Sequence, residues 1–278
     1  MLRCGLLGRK LSHSYSPQIH KELADYAYKL YEKEPEELEA FLRSKTFDGL
    51  NVTIPYKKAV MPLLNEISPE AAAIGSVNTI VSRGGKLTGY NTDAFGFTWL
   101  LQKSGVAVTG KKALVFGSGG ASVTVQYVLK SLGADPVVVI SRTGENNYAN
   151  LDRHRDAKVL VNATPVGMFP GNGESPVDLS EFDAVDGVLD VVYNPARTAL
   201  MLQAEALSIP HASGLSMLVA QAKKACEYFT GKPVSDTQID RIEKLLSRQM
   251  ENIILIGMPG CGKSSVGLAL AEIGRAHV

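Results

Sequence analysis

Cysteine is scarce. The three residues, Cys4, Cys226 and Cys261, are odd in number and far apart in 278 residues. Such spacing suits neither a disulfide framework nor a metal cluster, so no bound metal is expected and a reducing, cytoplasmic setting is. Excess charge of one sign is also lacking. Lys and Arg number 29 against 28 Asp and Glu, a formal +1, which gives no basic surface to attract nucleic acid or an anionic membrane. The N-terminus holds only a few apolar residues before polar ones, too short for a signal-peptide core or a membrane span. Fixed-period repeats and low-complexity tracts are absent as well. What remains is 45% hydrophobic and 21% charged, a globular composition whose partners must be sought in specific sites. At this length two domains are expected, because single cores stop growing near about 250 residues.

The apolar pattern alternates between strands and helices. Strands are expected over residues 2–7, 28–31 and 48–53, with amphipathic helices over 17–27 and 36–43, which implies a parallel sheet flanked by helices. Residues 77–81 and 86–90, joined through Ser82-Arg83-Gly84-Gly85, read as a hairpin adding antiparallel strands at the sheet edge. A helix over 92–104 leads into a polar, glycine-rich stretch. From Lys112 the pattern restarts as strand, glycine turn and helix, with strands over 112–116, 136–140, 159–161 and 188–192, the outline of a nucleotide-binding domain. Helices over 215–229 and 236–248 follow, the first packing back on the N-terminal domain. The expected architecture is α/β in two domains. A discontinuous α/β substrate domain takes residues 1–105 and 212–248, and a Rossmann-like domain with a parallel sheet takes 106–211.

The strand at 112–116 runs into Gly117, Ser118, Gly119, Gly120 and Ala121, the setting in which backbone N–H groups and a helix N-terminus hold a pyrophosphate. Ser122 fills the third small position of that fingerprint, and a glycine turn alone also serves as a plain corner. The next strand ends in Ser141, Arg142 and Thr143. An acidic residue there would hold a free ribose 2′-hydroxyl, whereas Arg142 offers a bidentate cation to a 2′-phosphate, so the expected cofactor is NADP rather than NAD. The plainer reading, a solvated loop charge, fits a position directly after a strand less well.

Four segments gather hydroxyls, amides and single charges at expected strand ends: Ser12 to Pro17, Asn51 to Lys57, Gly75 to Thr79 and Gly89 to Asp93. Open α/β sheets place ligands there, and this chemistry suits a small polyhydroxylated acid. Each has a plain alternative. Ser14 and Ser16 also suit capping of the helix at Pro17, Asn78, Thr92 and Asp93 suit turns or N-caps, and Lys57 alone reads as a surface lysine.

Taken in order, these segments resemble those of the shikimate dehydrogenase family. The resemblance continues through residues 117–121, Asn162 to Met168, Asp190 to Pro195 and Gly214 to Gln221, and covers roughly residues 2–248. It implies oxidation of shikimate at its ring 3-hydroxyl or, in the biosynthetic direction, reduction of 3-dehydroshikimate, in a monomer or homodimer. It assigns Ser14 and Ser16 to the substrate carboxylate, with Tyr193 near that group, and Thr53, Asn78, Asp93 and Gln221 to the ring hydroxyls. Lys57 and Asp93 match the catalytic pair. Gly117 to Ala121, Ser141 to Thr143, Thr164, Met168 and Gly214 fall to the cofactor. The chemistry agrees independently, since ketone reduction needs a proton on oxygen as hydride reaches carbon, and an ammonium held by a carboxylate delivers it.

One departure bears on the cofactor. Relatives often carry a further Arg where this chain has Asn146, which keeps open a quinate/shikimate dehydrogenase using NAD. A non-catalytic metabolite-binding paralogue is the other alternative, disfavoured because Lys57 and Asp93 are both present. His13 and His20 are read as structural.

The chain closes on an apolar segment and a complete G-x-x-x-x-G-K-S pattern, with Gly257, Gly262, Lys263 and Ser264 placed to wrap phosphates and ligate Mg²⁺. This resembles the start of shikimate kinase. Residues 251–278 are too few to make a core, so no kinase activity is expected of them. The last seven residues also coincide with one translated frame of a common sequencing adapter, which suggests read-through at the end of an incompletely sequenced bifunctional gene.

Overall fold

The computed structural model describes residues 1–11, 14–250 and 255–274, the last five of these by backbone alone. Ser12 and His13, residues 251–254 of the expected strand before the phosphate-loop pattern, and the adapter-like residues 275–278 lie outside the described residues.

The first unit is a six-stranded mixed sheet. Its elements are β1 (Arg3–Gly8), α1 (Ser16–Leu23), β2 (Ala27–Glu32), α2 (Leu38–Ser44), β3 (Gly49–Val52), β4 (Glu66–Ile67), α3 (Pro69–Ile74), β5 (Thr79–Arg83) and β6 (Lys86–Tyr90). The strand order is β2-β1-β3-β5-β6-β4. β1 runs parallel to β2 and β3, while β5 pairs antiparallel with β3 and β6. Gly84 and Gly85, with φ of 56° and 76°, make the tight two-residue turn whose twist matches the flanking strands. The hairpin is not the sheet edge, because the two-residue β4 pairs parallel with β6 beyond it. α1 also ends earlier than its periodicity suggests. Ala24 turns extended because Tyr26 is drawn into the core with Phe229 and Ala27 is claimed by β2 opposite Arg3.

The chain then forms α4 (Asp93–Ser104), β7 (Ala113–Phe116), α5 (Gly120–Ser131), β8 (Val137–Ile140), β9 (Val159–Asn162), β10 (Gly187–Asp190), α6 (Ala199–Ala206) and β11 (His211–Ser213). The five strands are all parallel, in the order β11-β10-β9-β7-β8. Three of them, β7, β9 and β10, are buried along their whole length, as a covered parallel sheet requires, whereas β8 is an apolar run buried fully only at Ile140. β11 is a short edge strand of His, Ala and Ser whose composition carries no strand signal.

α7 (Leu215–Thr230) returns to the first sheet, and α8 (Thr237–Met250) follows. Ile19 of α1, Val219 and Ala222 of α7 and Ile239, Ile242 and Leu246 of α8 share one buried cluster, with Phe95 and Trp99 of α4 against it. α7 lies so close on α4 that a Cβ on Gly96 would sit 2.7 Å from the Met217 carbonyl oxygen. The other side of α4 faces the second sheet, where Phe97, Leu100 and Leu101 pack with Val115, Val125 and Val161. α4 is therefore a wall common to both units.

Residues 255–262 form no strand, and α9 (Lys263–Gly274) follows them. Ile256 and Met258 are 91% and 80% exposed, which agrees with an apolar segment that pairs with no strand among the described residues.

Candidate functional site

The strand ends of the first sheet and the start of α4 converge on a cavity of about 240 Å³. Ser14, Ser16, Thr53, Lys57, Asn78, Asp93, Tyr193 and Gln221 all line it, so the structure brings together every residue that the sequence associates with substrate. Local folding explains the placement. The Ser14 hydroxyl oxygen accepts the Ser16 amide at 3.2 Å, shaping the turn into α1, so the turn-forming role and the cavity-lining role coexist. Asn78 Oδ1 accepts the Thr92 amide at 2.7 Å and the Thr79 and Thr92 hydroxyls at 3.1 and 3.2 Å. These bonds occupy its oxygen and leave its amide donors for the cavity. Asn91 Oδ1 accepts the Ala94 amide at 3.2 Å. The two asparagines thus fix the start of α4 and put Asp93 in its first turn, where the helix dipole favours a carboxylate.

Lys57 Nζ donates to Asp93 Oδ2 at 2.6 Å, with side-chain exposures of 20% and 12%. The ammonium is held at one edge of the cavity with protons still to donate. Tyr193 meets Tyr15 edge-on, ring centroids 6.0 Å apart, and burial, with Tyr15 adding to it, raises its phenol above the ordinary range. Asn51 belongs to the same lining. It accepts from the Tyr28 hydroxyl at 2.8 Å and donates to Thr79 at 3.3 Å. Its position at the head of the Asn51 to Lys57 segment was the available signal.

A second groove, of about 650 Å³, opens over the C-terminal ends of β7, β8 and β9. Gly117, Ser118, Gly119, Ser141, Arg142 and Thr164 line it, with Pro165 and Val166 of the Asn162 to Met168 segment, and Tyr148, Ser175 and Pro176 are walls that the sequence did not single out. Several observations fit a dinucleotide. A Cβ on Gly119 would meet nothing within 4 Å, no side chain caps α5 and no acidic residue stands in its first turn, so its amides remain free for phosphate. Among the described residues no carboxylate pairs with Arg142.

The remaining cofactor candidates fall elsewhere. Ala121 and Gly214 line the substrate cavity. Met168 borders a mouth of about 760 Å³ with Arg9, Lys10, Ile54 and Tyr193. Thr143 presents its carbonyl to the Ser141 hydroxyl. Gly120 joins the two sites, since a Cβ there would lie 4.0 Å from Lys57 Cδ. Lys263 instead donates to the Gly257 and Met258 carbonyls at 2.7 and 2.6 Å, and none of the described residues of its segment lines either site.

A lysine–carboxylate pair in a polar cavity, set against an uncapped glycine turn on a parallel sheet, defines a two-domain nicotinamide-dependent oxidoreductase. Comparison with known proteins narrows the class. Residues 6–80 match the family model described as the shikimate dehydrogenase substrate binding domain. A Clostridium beijerinckii protein named shikimate dehydrogenase (NADP(+)) is 38% identical over 242 residues, 80% of this chain and 90% of its own length. A shikimate dehydrogenase structure from Peptoclostridium difficile superposes with a TM-score of 0.83 at 35% identity, covering 91% of this chain and all of the other. A Thermus thermophilus enzyme in complex with NADP(H) and shikimate gives 0.80 at 32% identity, covering 88% and 99%. The chain belongs to the shikimate dehydrogenase family.

Proposed function

We propose that this chain catalyses the reversible, NADPH-dependent reduction of 3-dehydroshikimate to shikimate, a step toward chorismate and the aromatic amino acids. The observation that carries the reading is the 2.6 Å Lys57–Asp93 pair lying against Gly120 of the glycine turn. NADPH supplies the hydride when bound. Asp93 holds the ammonium of Lys57 toward the cavity, and Lys57 gives a proton to the forming alkoxide or accepts it in reverse. Ser14, Ser16 and Tyr193 take the carboxylate end of the substrate, and Thr53, Asn78, Asp93 and Gln221 take its hydroxyls. The Ser141 to Thr143 turn and residues 117–120 hold the dinucleotide, with Arg142 on the 2′-phosphate. Residues 1–105 with 212–248 form the substrate domain and residues 106–211 the cofactor domain. The buried Cys4 and Cys226 suit a reducing cytoplasm, and the enzyme works as a monomer or homodimer.

Residues 251–278 are read as the opening of a shikimate-kinase-like phosphate-binding domain. The pattern from Gly257 to Ser264 supports this reading, and exposed Ile256 and Met258 are where such a domain would place a core.

An assay at 340 nm with shikimate and quinate, each with NADP⁺ and NAD⁺, tests the activity. Turnover of shikimate with a strong preference for NADP⁺ supports the reading. Preferential turnover of quinate with NAD⁺ would reassign the substrate, and no turnover from folded protein would sink it in favour of a metabolite-binding role.

A further inference from the structure

Asp190 ends β10 with no exposed surface and lines neither the cavity nor the groove. It stands in register with Asn162, the last residue of β9 and equally buried, which in turn pairs with Phe116 just before the glycine turn. One Asp190 oxygen accepts from Asn162 Nδ2 at 3.0 Å and from the Val192 amide at 2.9 Å. The other accepts from the Thr198 hydroxyl at 2.7 Å. Asn162 passes the constraint on. Its Nδ2 also donates to the Val166 carbonyl at 3.1 Å, and its Oδ1 accepts the Thr164 amide at 3.0 Å and the Thr164 hydroxyl at 2.6 Å.

A carboxylate only accepts hydrogen bonds, so it dictates which way the Asn162 amide faces: nitrogen toward Asp190, oxygen toward Thr164. Thr164 and Val166 are walls of the cofactor groove. The Val192 amide, bound by the same oxygen, lies between Val191 and Tyr193, both walls of the substrate cavity. A buried carboxylate is a costly way to stabilise a fold, and burial pushes this one up to about 6, against the hydrogen bonds from Thr198, Val192 and Asn162. Its three hydrogen bonds tie together elements of both sites instead.

We infer that Asp190 is a positioning residue, which through Asn162 and the Val192 amide holds the Thr164 wall of the cofactor groove in fixed relation to the Tyr193 wall of the substrate cavity. The inference rests on the assignment of those two sites to cofactor and substrate.

The test compares Asp190→Ala with Asp190→Asn in the full chain. An amide at this position keeps one oxygen for Asn162 and Val192, and the Thr198 hydroxyl can rotate to accept from its nitrogen. Asp190→Ala is expected to raise KM for NADP⁺ and for shikimate together, each roughly tenfold. Asp190→Asn should return both to within about threefold of the parent, on the same grounds of geometry. A change in only one KM, no change in either, or a lowered melting temperature with both constants intact would overturn the inference. If Asp190→Ala does not fold, Asp190→Ser carries the same readout, because its hydroxyl reaches one neighbour rather than three. Amide hydrogen exchange of the free protein separates this claim from the functional one. The Thr164 and Val192 amides should lose protection in Asp190→Ala and regain it in Asp190→Asn, whatever the substrate proves to be, and unchanged protection would sink the idea.

Discussion

The Lys57 ammonium meets the Asp93 carboxylate at 2.6 Å, although one follows β3 and the other opens α4, 36 residues later. A proton donor on a loop is thus steered by a carboxylate anchored on a helix end. Lys57→Ala should lower kcat by roughly 10² to 10⁴ with KM for shikimate little changed. Lys57→Arg should not rescue, since a guanidinium keeps its proton at working pH. Steady-state rates at 340 nm decide both points, and a defect confined to KM would make Lys57 a binding residue.

Arg142 borders the groove without a carboxylate partner among the described residues. A hydrogen bond to a charged group contributes about 1.5–3 kcal/mol, so Arg142→Ala should raise KM for NADP⁺ by roughly ten- to a hundredfold. KM for NAD⁺ should stay where it is. Equal losses with both cofactors would remove the 2′-phosphate assignment.

Gly96 leaves no room between α4 and α7. A Cβ at 2.7 Å from the Met217 carbonyl oxygen must push one helix off the other, and overpacking of this kind costs about 1–3 kcal/mol. Gly96→Ala should therefore lower the melting temperature by several degrees, read by circular dichroism. An unchanged melting temperature would mean that the two helices separate freely.

His20 stacks on Tyr28 at 4.1 Å, its Nδ1 shares a hydrogen bond with the Tyr26 hydroxyl at 2.6 Å, and burial pushes its pKa down to about 3. A depressed value means that the unfolded chain binds the proton more tightly. The stabilising contribution is therefore whole above the ordinary value of about 6.5 and is lost as pH falls from there toward about 3. Asp190, raised to about 6, acts in the opposite sense between about 3.8 and 6. His20→Gln should flatten the decline of melting temperature between pH 7 and pH 4, and an unaltered slope would show that His20 does not drive acid sensitivity.

Removal of residues 251–278 should leave kcat and both KM values unchanged, because the described part of that segment lines neither site. The full chain should also show no ATP-dependent phosphorylation of shikimate. A fall in dehydrogenase activity on truncation would give the segment a supporting role.

Much of this was legible in the sequence, for physical reasons. β7, β9 and β10 are apolar runs between turn residues, and in a sheet covered on both faces such a run admits little else. The cavity residues were found because strand ends in open α/β sheets are where ligands bind. β4 and β11 escaped because two or three residues carry no period, and the end of α1 was misplaced because pairing of Ala27 with Arg3 is a long-range decision. The role argued for Asp190 was hidden for a different reason. Its effect depends on which way a neighbouring amide faces, and only coordinates give that.

The chain crosses between its two sheets twice, once after α4 at Gly105 and once where β11 gives way to α7 at Gly214. The two units also share α4 as a common spine, since Phe97, Leu100 and Leu101 are built into the same core as Val115, Val125 and Val161, so neither sheet can shift without carrying or repacking that helix. A side chain at Gly120 would come within 4.0 Å of Lys57 Cδ, so the glycine there is what keeps the space between the shared helix's two partners clear for a ligand.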